Sequence, residues 1–251
     1  MQSGKYKYFN FLFFIFYILT RPQLIYLFLT KRIYLPVFPQ FEQFKKHKIG
    51  TIVDIGSHKG HMAQTLNVLF PKAHIYAFEP NSDLNNIIKN KIPKEILTLE
   101  NIALSNKGEF QNLYQAENPL LTSIMPLSIP QIRDGVKIKT RVKKVKSSTL
   151  DIYFKNRKII NPVFLKIDTE GAEGLVLQGG KKFLKNVAVI YIEIYYKKLY
   201  KNQMLFNDVY KLLTKSGFVY KGDAGEAYFY PKFSLESVTN SVFINSKIIK
   251  N

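Results

Sequence analysis

The chain has 251 residues, 46% of them hydrophobic, which is enough to bury the core of one α/β domain of ordinary size with some decoration. It contains no cysteine, which excludes disulfides, zinc–thiolate sites and cysteine nucleophiles and fits a cytoplasmic protein. The 37 Lys and Arg residues against 18 Asp and Glu residues give a net charge of +19, which favours anionic partners unless it reflects compositional bias alone.

Residues 1–48 form an N-terminal extension with eight basic residues and a single acidic one, Glu42. Two apolar runs, 8–20 and 24–29, flank Arg21 and Pro22, and each is shorter than the ~20 residues that span a bilayer. No small-residue cleavage site follows, so a secretory signal is not expected. Two interpretations remain open: a helical segment lying peripherally on an anionic membrane surface, or a helical extension that packs on the domain.

Residues 49–251 show the pattern of one α/β domain, because short apolar runs alternate with segments of helical spacing. This alternation predicts a doubly wound, mostly parallel sheet. Strands are predicted at 51–55, 75–78, 96–104, 163–168 and 187–194. Helices are predicted at 60–69, 81–91, 173–185 and 202–215, and antiparallel strands after them.

The segment 106–148 is harder to place, but residues 137–146 alternate strongly. The alternation puts Lys137, Lys139, Arg141 and Lys143 on one face of a strand. Such a face is typical of a solvated edge strand that resists further pairing. The alternative is a docking face for a phosphate-bearing substrate.

A candidate cofactor loop follows the first predicted strand, in the order Asp54, Gly56, Ser57, His58 and Gly60. The first glycine permits a tight turn, and the second lets the backbone approach a ligand where the helix starts. The three-glycine dinucleotide fingerprint is missing, so a pyrophosphate is not expected here. An acid followed by a glycine pair suits a ligand with an amino acid tail and a cationic sulfur.

Two further strand ends complete the predicted cofactor site. Glu79, followed by Pro80, ends the second strand and is placed to accept hydrogen bonds from both ribose hydroxyls. Asn101 and Ala103 end the third strand, where a backbone and a small side chain can flank an adenine. Ligands bind open α/β sheets at such strand ends.

These motifs together resemble the FkbM family of methyltransferases. The resemblance is carried by Asp54 to Gly60, by Phe70 to Pro80, by Ser148 to Asp151 and by the run Leu165-Lys166-Ile167-Asp168-Thr169-Glu170-Gly171-Ala172-Glu173, and it covers about residues 49–222. It implies a seven-stranded Rossmann-like methyltransferase sheet, S-adenosylmethionine as cofactor and O-methylation of a sugar or polyketide hydroxyl. Ser57 and His58 stand where the family commonly has Ala and Asn, which keeps a small residue before a polar one.

The candidate catalytic residues end the fourth predicted strand. Asp168 can orient or deprotonate the acceptor hydroxyl, or merely cap the next helix. Glu170 can hold substrate hydroxyls. Glu173 can do so too, or it can be an acid in the first turn of the next helix, where the helix dipole favours a negative charge. Lys166 points to the same side as Asp168, and a buried Lys–Asp pair is the alternative. Glu193 is a weaker candidate, and the four histidines do not cluster as metal ligands, so no metal is predicted.

Three hypotheses follow, and none of them predicts an oligomeric state. The first is an O-methyltransferase acting on a glycan or another small hydroxylated substrate. The second, prompted by the charge, is an RNA 2′-O- or base methyltransferase. Base methylation usually needs an Asn/Asp-Pro-Pro-aromatic element after the fourth strand, where Asp168-Thr169-Glu170-Gly171 stands instead, and no RNA-stacking signature is found. The third is a non-catalytic membrane-associated binding protein, against which the intact motif acids argue.

Overall fold

A computed structural model describes residues 16, 18–31, 33, 35, 38–128, 138–224 and 238–249. The strands are β1 (Thr51–Ile55), β2 (His74–Phe78), β3 (Leu97–Glu100), β4 (Ala103–Leu104), β5 (Glu109–Ala116), β6 (Thr140–Ser148), β7 (Val163–Ile167), β8 (Val187–Tyr195), β9 (Phe218–Ala224) and β10 (Val238–Asn245). The helices are α1 (Pro22–Lys31), α2 (Phe38–Glu42), α3 (His61–Leu69), α4 (Asn85–Lys89), α5 (Leu150–Tyr153), α6 (Glu173–Gln178) and α7 (Phe206–Lys215).

The main sheet has seven strands in the order β3-β2-β1-β7-β8-β10-β9, which confirms the doubly wound sheet predicted from the sequence. The strands β3, β2, β1, β7 and β8 are mutually parallel, and β10 is antiparallel to both of its neighbours, β8 and β9. All residues of β1 and β7 are buried, because helices cover both faces of a parallel sheet. The strand order reverses between β1 and β7, which is where open α/β sheets bind ligands.

One predicted strand is wrong in a way that matters for the site. The segment 96–104 is not a single strand, because β3 ends at Glu100 and β4 joins a second, three-stranded sheet of order β4-β6-β5. The chain turns away at Asn101, whose side chain donates to the backbone carbonyl of Glu79 at 3.0 Å. The third strand end therefore continues as the wall of a separate small sheet.

The edge-strand interpretation of residues 137–146 agrees with the residues that the structure describes. β6 pairs antiparallel with β5 from Thr140 to Ser147, but β4 joins its other side only at Ser147 and Ser148, so no described strand pairs with that side over residues 140–146. Lys137 lies outside the described residues, and Lys139 forms an exposed ion pair with Glu117 at 3.8 Å.

Three predicted helices are shorter than expected. The segment 81–91 holds a 3₁₀ turn, Ser82–Leu84, before α4. The segment 173–185 stops at Gln178, where Gly179 and Gly180 follow, and resumes as a 3₁₀ turn, Phe183–Asn186. α7 begins only at Phe206, where the Asp208 carboxylate accepts the Leu205 amide at 3.2 Å.

The described part of the N-terminal extension belongs to the core. Leu24, Ile33 and Phe38 are at most 4% exposed and share one hydrophobic cluster with residues of the sheet and α3. The Phe41 ring lies 5.5 Å from the ring of Phe164 on β7 and 4.8 Å from that of Tyr191 on β8, both edge to face. The side of the extension that carries these residues therefore packs on the domain, as the second of the two interpretations of residues 1–48 expects.

We predict that Phe41→Ala destabilises the whole domain. Phe41 is fully buried, so its truncation should lower the free energy of unfolding by about 3–5 kcal/mol through lost burial and a residual cavity. Urea denaturation followed by circular dichroism measures this. Tyr26→Ala is the control, because Tyr26 lies on α1 in the same extension and is 65% exposed. Equal, small effects of both substitutions would contradict a core role for the extension.

Candidate active site

A cavity of about 230 Å³ opens where the parallel strands end, beside the reversal of strand order. One side is formed by the residues that follow β1, β2 and β7, and the other by β4, β5 and the segment after β5. Its lining residues include Ile55, Gly56, His58, Phe78, Glu79, Pro80, Leu84, Ile102, Ala103, Leu104, Leu113, Leu120, Thr122, Ser123, Ile124, Asp168 and Glu170. The wall is therefore mostly apolar, with carboxylates at a few points.

The loop after β1 is held close to both neighbouring strands. Gly56 has a φ of 75°, and a Cβ there would collide with the backbone oxygen of Asp168, so this turn requires glycine. The amides of Gly56 and Ser57 donate to the carbonyl of Phe78 at 3.0 and 3.1 Å. The Ser57 hydroxyl is buried and donates to the carbonyl of Asp54 at 2.9 Å, so it supports the loop from behind.

The carboxylate of Glu79 is hydrogen-bonded to this loop. Its Oε2 accepts the amide of His58 at 2.8 Å and its Oε1 the amide of Asn81 at 2.9 Å. Burial raises the pKa of Glu79, although the two hydrogen bonds favour the charged form and reduce this shift. Burial, followed by the charge of Lys59, lowers the pKa of His58. An ionised carboxylate accepts about four hydrogen bonds, so each oxygen of Glu79 can take one more donor from the cavity.

Asn101 does not line the cavity but fixes its third strand end. Besides its bond to Glu79, its side-chain amide pairs reciprocally with that of Asn85, with both N···O distances 2.6 Å. Ala103 and Leu104, which follow on β4, line the cavity with apolar side chains. Of the two residues predicted to flank an adenine, Ala103 lines the cavity, and Asn101 supports it from outside the lining.

Lys166 is buried behind the cavity between two carboxylates. Its ammonium nitrogen lies 3.1 Å from Asp54 Oδ1 and 3.3 Å from Asp168 Oδ2, and it donates to the carbonyl of Gly56 at 2.7 Å. Burial alone would lower the pKa of Lys166, but the charges of Asp168 and Asp54 outweigh it and raise the pKa. The buried Lys–Asp pair considered from the sequence is present, and it involves both acids.

Asp168 differs from Asp54 in its exposure. The side chain of Asp54 is fully buried, whereas that of Asp168 is 36% exposed and lines the cavity. α6 begins five residues after Asp168, and the described contacts show no cap from Asp168 to it. Asp168 is therefore a carboxylate oriented by a buried cation and open to a ligand.

Glu170 forms a hydrogen-bonded cluster with two tyrosines. Its Oε2 accepts the hydroxyl of Tyr195 at 2.8 Å and that of Tyr200 at 3.2 Å, and Tyr195 lies equally close to Glu193 Oε2. The Tyr195 hydroxyl has one proton and can donate to only one of the two carboxylates. The carboxyl that does not receive the Tyr195 proton must therefore be protonated itself, so that it can donate to the Tyr195 oxygen.

The direction of the pKa values agrees with a shared proton. Burial and then the charge of Asp168 raise the pKa of Glu170 to about 8. Burial and then the charge of Glu170 raise the pKa of Glu193 well above its ordinary value. The oxygens of Asp168, Glu170 and Glu193 lie within 4.8 Å of one another, a clustering of carboxylates that the sequence analysis, which predicts no metal, did not anticipate.

Glu173 organises the loop that carries Glu170. Its Oε1 accepts the amide and hydroxyl of Thr169 at 2.8 and 2.9 Å and the amide of Gly171 at 3.2 Å. Burial raises the pKa of Glu173 to about 7. Glu173 is 3% exposed and does not line the cavity, so it supports the loop from within.

The structure brings most of the predicted site residues together around one cavity. Those that line it are Gly56, His58, Glu79, Pro80, Ala103, Asp168 and Glu170. Those that stand behind it are Asp54, Ser57, Gly60, Asn101 and Lys166. The positive φ of Gly60, 71°, serves the turn into α3. Sequence reasoning did not find Tyr195, Tyr200 or the apolar wall from β5, since none of these belongs to a motif.

Comparison with known proteins identifies the family. Residues 54–220, well over half of the chain, match the model of the methyltransferase FkbM domain. No curated protein is detectably similar to the chain.

Several solved structures are similar at low identity. An FkbM methyltransferase from Methylobacillus flagellatus is 11% identical, with a TM-score of 0.45, over 78% of this chain and 44% of that one. The fibrillarin pre-rRNA processing protein of Methanococcus jannaschii is 11% identical, with a TM-score of 0.45, over 78% of this chain and 66% of its own. The plantazolicin methyltransferase BpumL, in complex with SAH, is 12% identical, with a TM-score of 0.46, over 84% and 83%.

The present chain thus spans less than half of the first of these proteins, and such similarity carries no information about its substrate. The sequence match is what assigns the family. The chain belongs to the FkbM methyltransferase family, whose cofactor is S-adenosylmethionine.

Proposed function

We propose that the protein transfers the methyl group of S-adenosylmethionine to a hydroxyl of a glycan or another small hydroxylated substrate. The observation that carries this proposal is Asp168, a partly exposed carboxylate held by the buried Lys166 at the cavity, at the end of β7. A carboxylate in this position accepts a hydrogen bond from a hydroxyl and orients its oxygen. The Asn/Asp-Pro-Pro-aromatic element that grips an amino group is not found there.

The cavity fits the cofactor by its donor set. Glu79 retains hydrogen-bonding capacity on both carboxylate oxygens, which suits the two hydroxyls of a ribose. Phe78, Ile102 and Leu104 supply apolar surface beside it, which suits an adenine. When bound, the cofactor would supply a cationic sulfonium with an electrophilic methyl group, and a carboxylate such as that of Asp168 is electrostatically favourable near a cation.

The roles of the protein groups follow from their contacts. Asp168 orients the acceptor hydroxyl and takes its proton, and Lys166 positions Asp168. Glu170, which also lines the cavity, receives further substrate hydroxyls. Because its pKa is raised to about 8, it is mostly protonated at neutral pH and leaves the role of base to Asp168.

For the cofactor, we predict that Glu79→Ala weakens binding of S-adenosylhomocysteine. Losing a charge-assisted pair of hydrogen bonds should cost about 1–3 kcal/mol. Isothermal titration calorimetry measures it, with thermal melting to check that the variant is folded. Glu100→Ala is the control, because Glu100 ends the adjacent strand β3 but does not line the cavity. Unchanged affinity in Glu79→Ala would remove Glu79 from the ribose site.

For the chemistry, we predict that Asp168→Asn keeps its affinity for S-adenosylhomocysteine and lowers methyl transfer by roughly 10²–10⁴-fold. The fold should survive, because Lys166 keeps Asp54 as its ion-pair partner. Transfer from S-adenosylmethionine with a labelled methyl group into host glycan and lipid extracts provides the measurement. Asp208→Asn, at the exposed start of α7, is the control. Near-normal transfer by Asp168→Asn would leave Asp168 a structural role only.

We also propose that the outer side of the N-terminal extension rests on an anionic membrane surface. Leu24 faces the core, but other apolar side chains of the extension are 42–69% exposed, namely Phe16, Leu19, Ile25, Tyr26, Phe28 and Leu29. So large an exposed apolar surface is unusual unless something covers it. The basic excess of residues 1–48 favours anionic lipid as the cover. Each helix that the structure describes is too short or too polar to cross a bilayer.

The membrane prediction is tested by flotation with vesicles of phosphatidylserine and phosphatidylcholine. The triple variant Tyr26→Glu, Phe28→Glu, Leu29→Glu should lose most vesicle binding yet stay folded, because all three side chains are exposed. Truncation is a poorer test, since Leu24 and Ile33 are part of the core. Ile152→Glu with Val219→Glu, at exposed apolar positions elsewhere, should bind like wild type. A wild-type protein that stays off the vesicles at low salt contradicts the proposal.

A further inference from the structure

The wall of the cavity formed by β5 continues into a face with two cations. β5 and β6 pair antiparallel, with Leu113 opposite Lys143 and Gln115 opposite Arg141. Directly opposed residues in an antiparallel pair point to the same face, with Cβ atoms about 4.5–5.5 Å apart. Leu113 is 2% exposed and lines the cavity. Lys143 therefore lies one strand beyond a residue of the cavity wall, on the same side of the sheet.

The inward direction of this face is fixed independently. Val145, two residues along β6 from Lys143, is buried in one small cluster with Leu113 and Ala103. Successive odd-numbered residues of a strand share a face, so Arg141, Lys143 and Val145 point the same way. The first two are exposed, because this end of the small sheet projects beyond the cluster.

Arg141 and Lys143 differ from the neighbouring cations in what they contact. Lys144, on the opposite face, lies 5.0 Å from the centre of the Phe110 ring, and Lys139, which the alternation places on the same face, pairs with Glu117. Within the described parts of the chain, Arg141 and Lys143 have no ion pair or hydrogen bond. They can therefore meet an external anion without first breaking an internal contact.

The charged groups near the cavity differ between the main sheet and the small sheet. Asp168, Glu170 and Lys59 line the cavity from the main sheet, whereas Arg141 and Lys143 stand outside its lining on β6, beside the wall residue Leu113. A hydroxyl suits the carboxylate side, where an anion would be repelled. An oxyanion suits the cationic side, and Arg offers it two parallel donors.

From this geometry we infer that the acceptor is an acidic sugar, whose hydroxyl enters beside Asp168 while its phosphate or carboxylate binds Arg141 and Lys143. The inference rests on the proposed function and narrows its substrate class. It assigns a role to two basic residues of β6 that take no part in the proposed cofactor site.

The test is calorimetry on the full chain saturated with S-adenosylhomocysteine, using glucose, glucose 6-phosphate and glucuronate as probes. At least one of the two acidic sugars should bind at least tenfold more tightly than glucose, and the stronger of the two identifies the anionic group. Arg141→Ser with Lys143→Ser should weaken that binding by about 10–100-fold, as expected for losing charge-assisted hydrogen bonds. The binding should also weaken at high salt.

The matched control is Lys144→Ser with Lys146→Ser, which removes the same charge from the same strand on the opposite face. It should leave the binding of acidic sugars within about twofold of wild type. Equal losses in both double variants would show a non-specific effect of net charge and overturn the inference. Equal binding of glucose and the acidic sugars, or failure of all three to bind, would also overturn the inference. It would likewise be overturned if a short RNA oligonucleotide bound more tightly than the acidic sugars and both double variants weakened that RNA binding equally. Failure of S-adenosylhomocysteine to bind at all would instead refute the proposed function.

Discussion

The site depends on one buried cation. Lys166 stands in register with Asp54 across the junction of β7 and β1, and its ammonium group contacts Asp54, Asp168 and the carbonyl of Gly56. Removing one partner from such a buried pair typically costs about 3–5 kcal/mol, because the remaining charge is left uncompensated. The loop after β1 and the carboxylate of Asp168 are therefore held by the same group, and neither can move without disturbing the other.

This arrangement separates carboxylates that would otherwise repel one another. Lys166 compensates Asp54 and Asp168, whereas Glu170 and Glu193 have no cation among the described residues and share Tyr195 instead. Charge compensation on one side and proton sharing on the other keep the two groups of acids different. Asp168, the more exposed of the two carboxylates beside Lys166, is the one that lines the cavity.

The sequence predicted the parts of this site that follow strand ends. Apolar runs ending at Ile55, Phe78 and Ile167 must be parallel strands of one sheet, so the residues after them meet at one edge. Contacts between distant segments could not be predicted in the same way. Tyr195 reaches Glu170 only because β8 lies beside β7, and the break at Asn101 depends on a side-chain bond to Glu79.

The small sheet shows what the alternating pattern alone could not say about the basic strand. Alternation indicates which residues of β6 share a face, but not whether that face looks toward solvent or toward a cavity. The pairing register with β5 decides this, since it sets Lys143 opposite the buried Leu113. Surface charges are screened beyond about 8 Å at physiological ionic strength, so the distant cations of this strongly basic protein contribute little inside the cavity, which Lys59 lines directly. In β6 the register sets Arg141 and Lys143, rather than Lys144 and Lys146, on the face that Leu113 shares, which is why the proposed anion contact involves the first two.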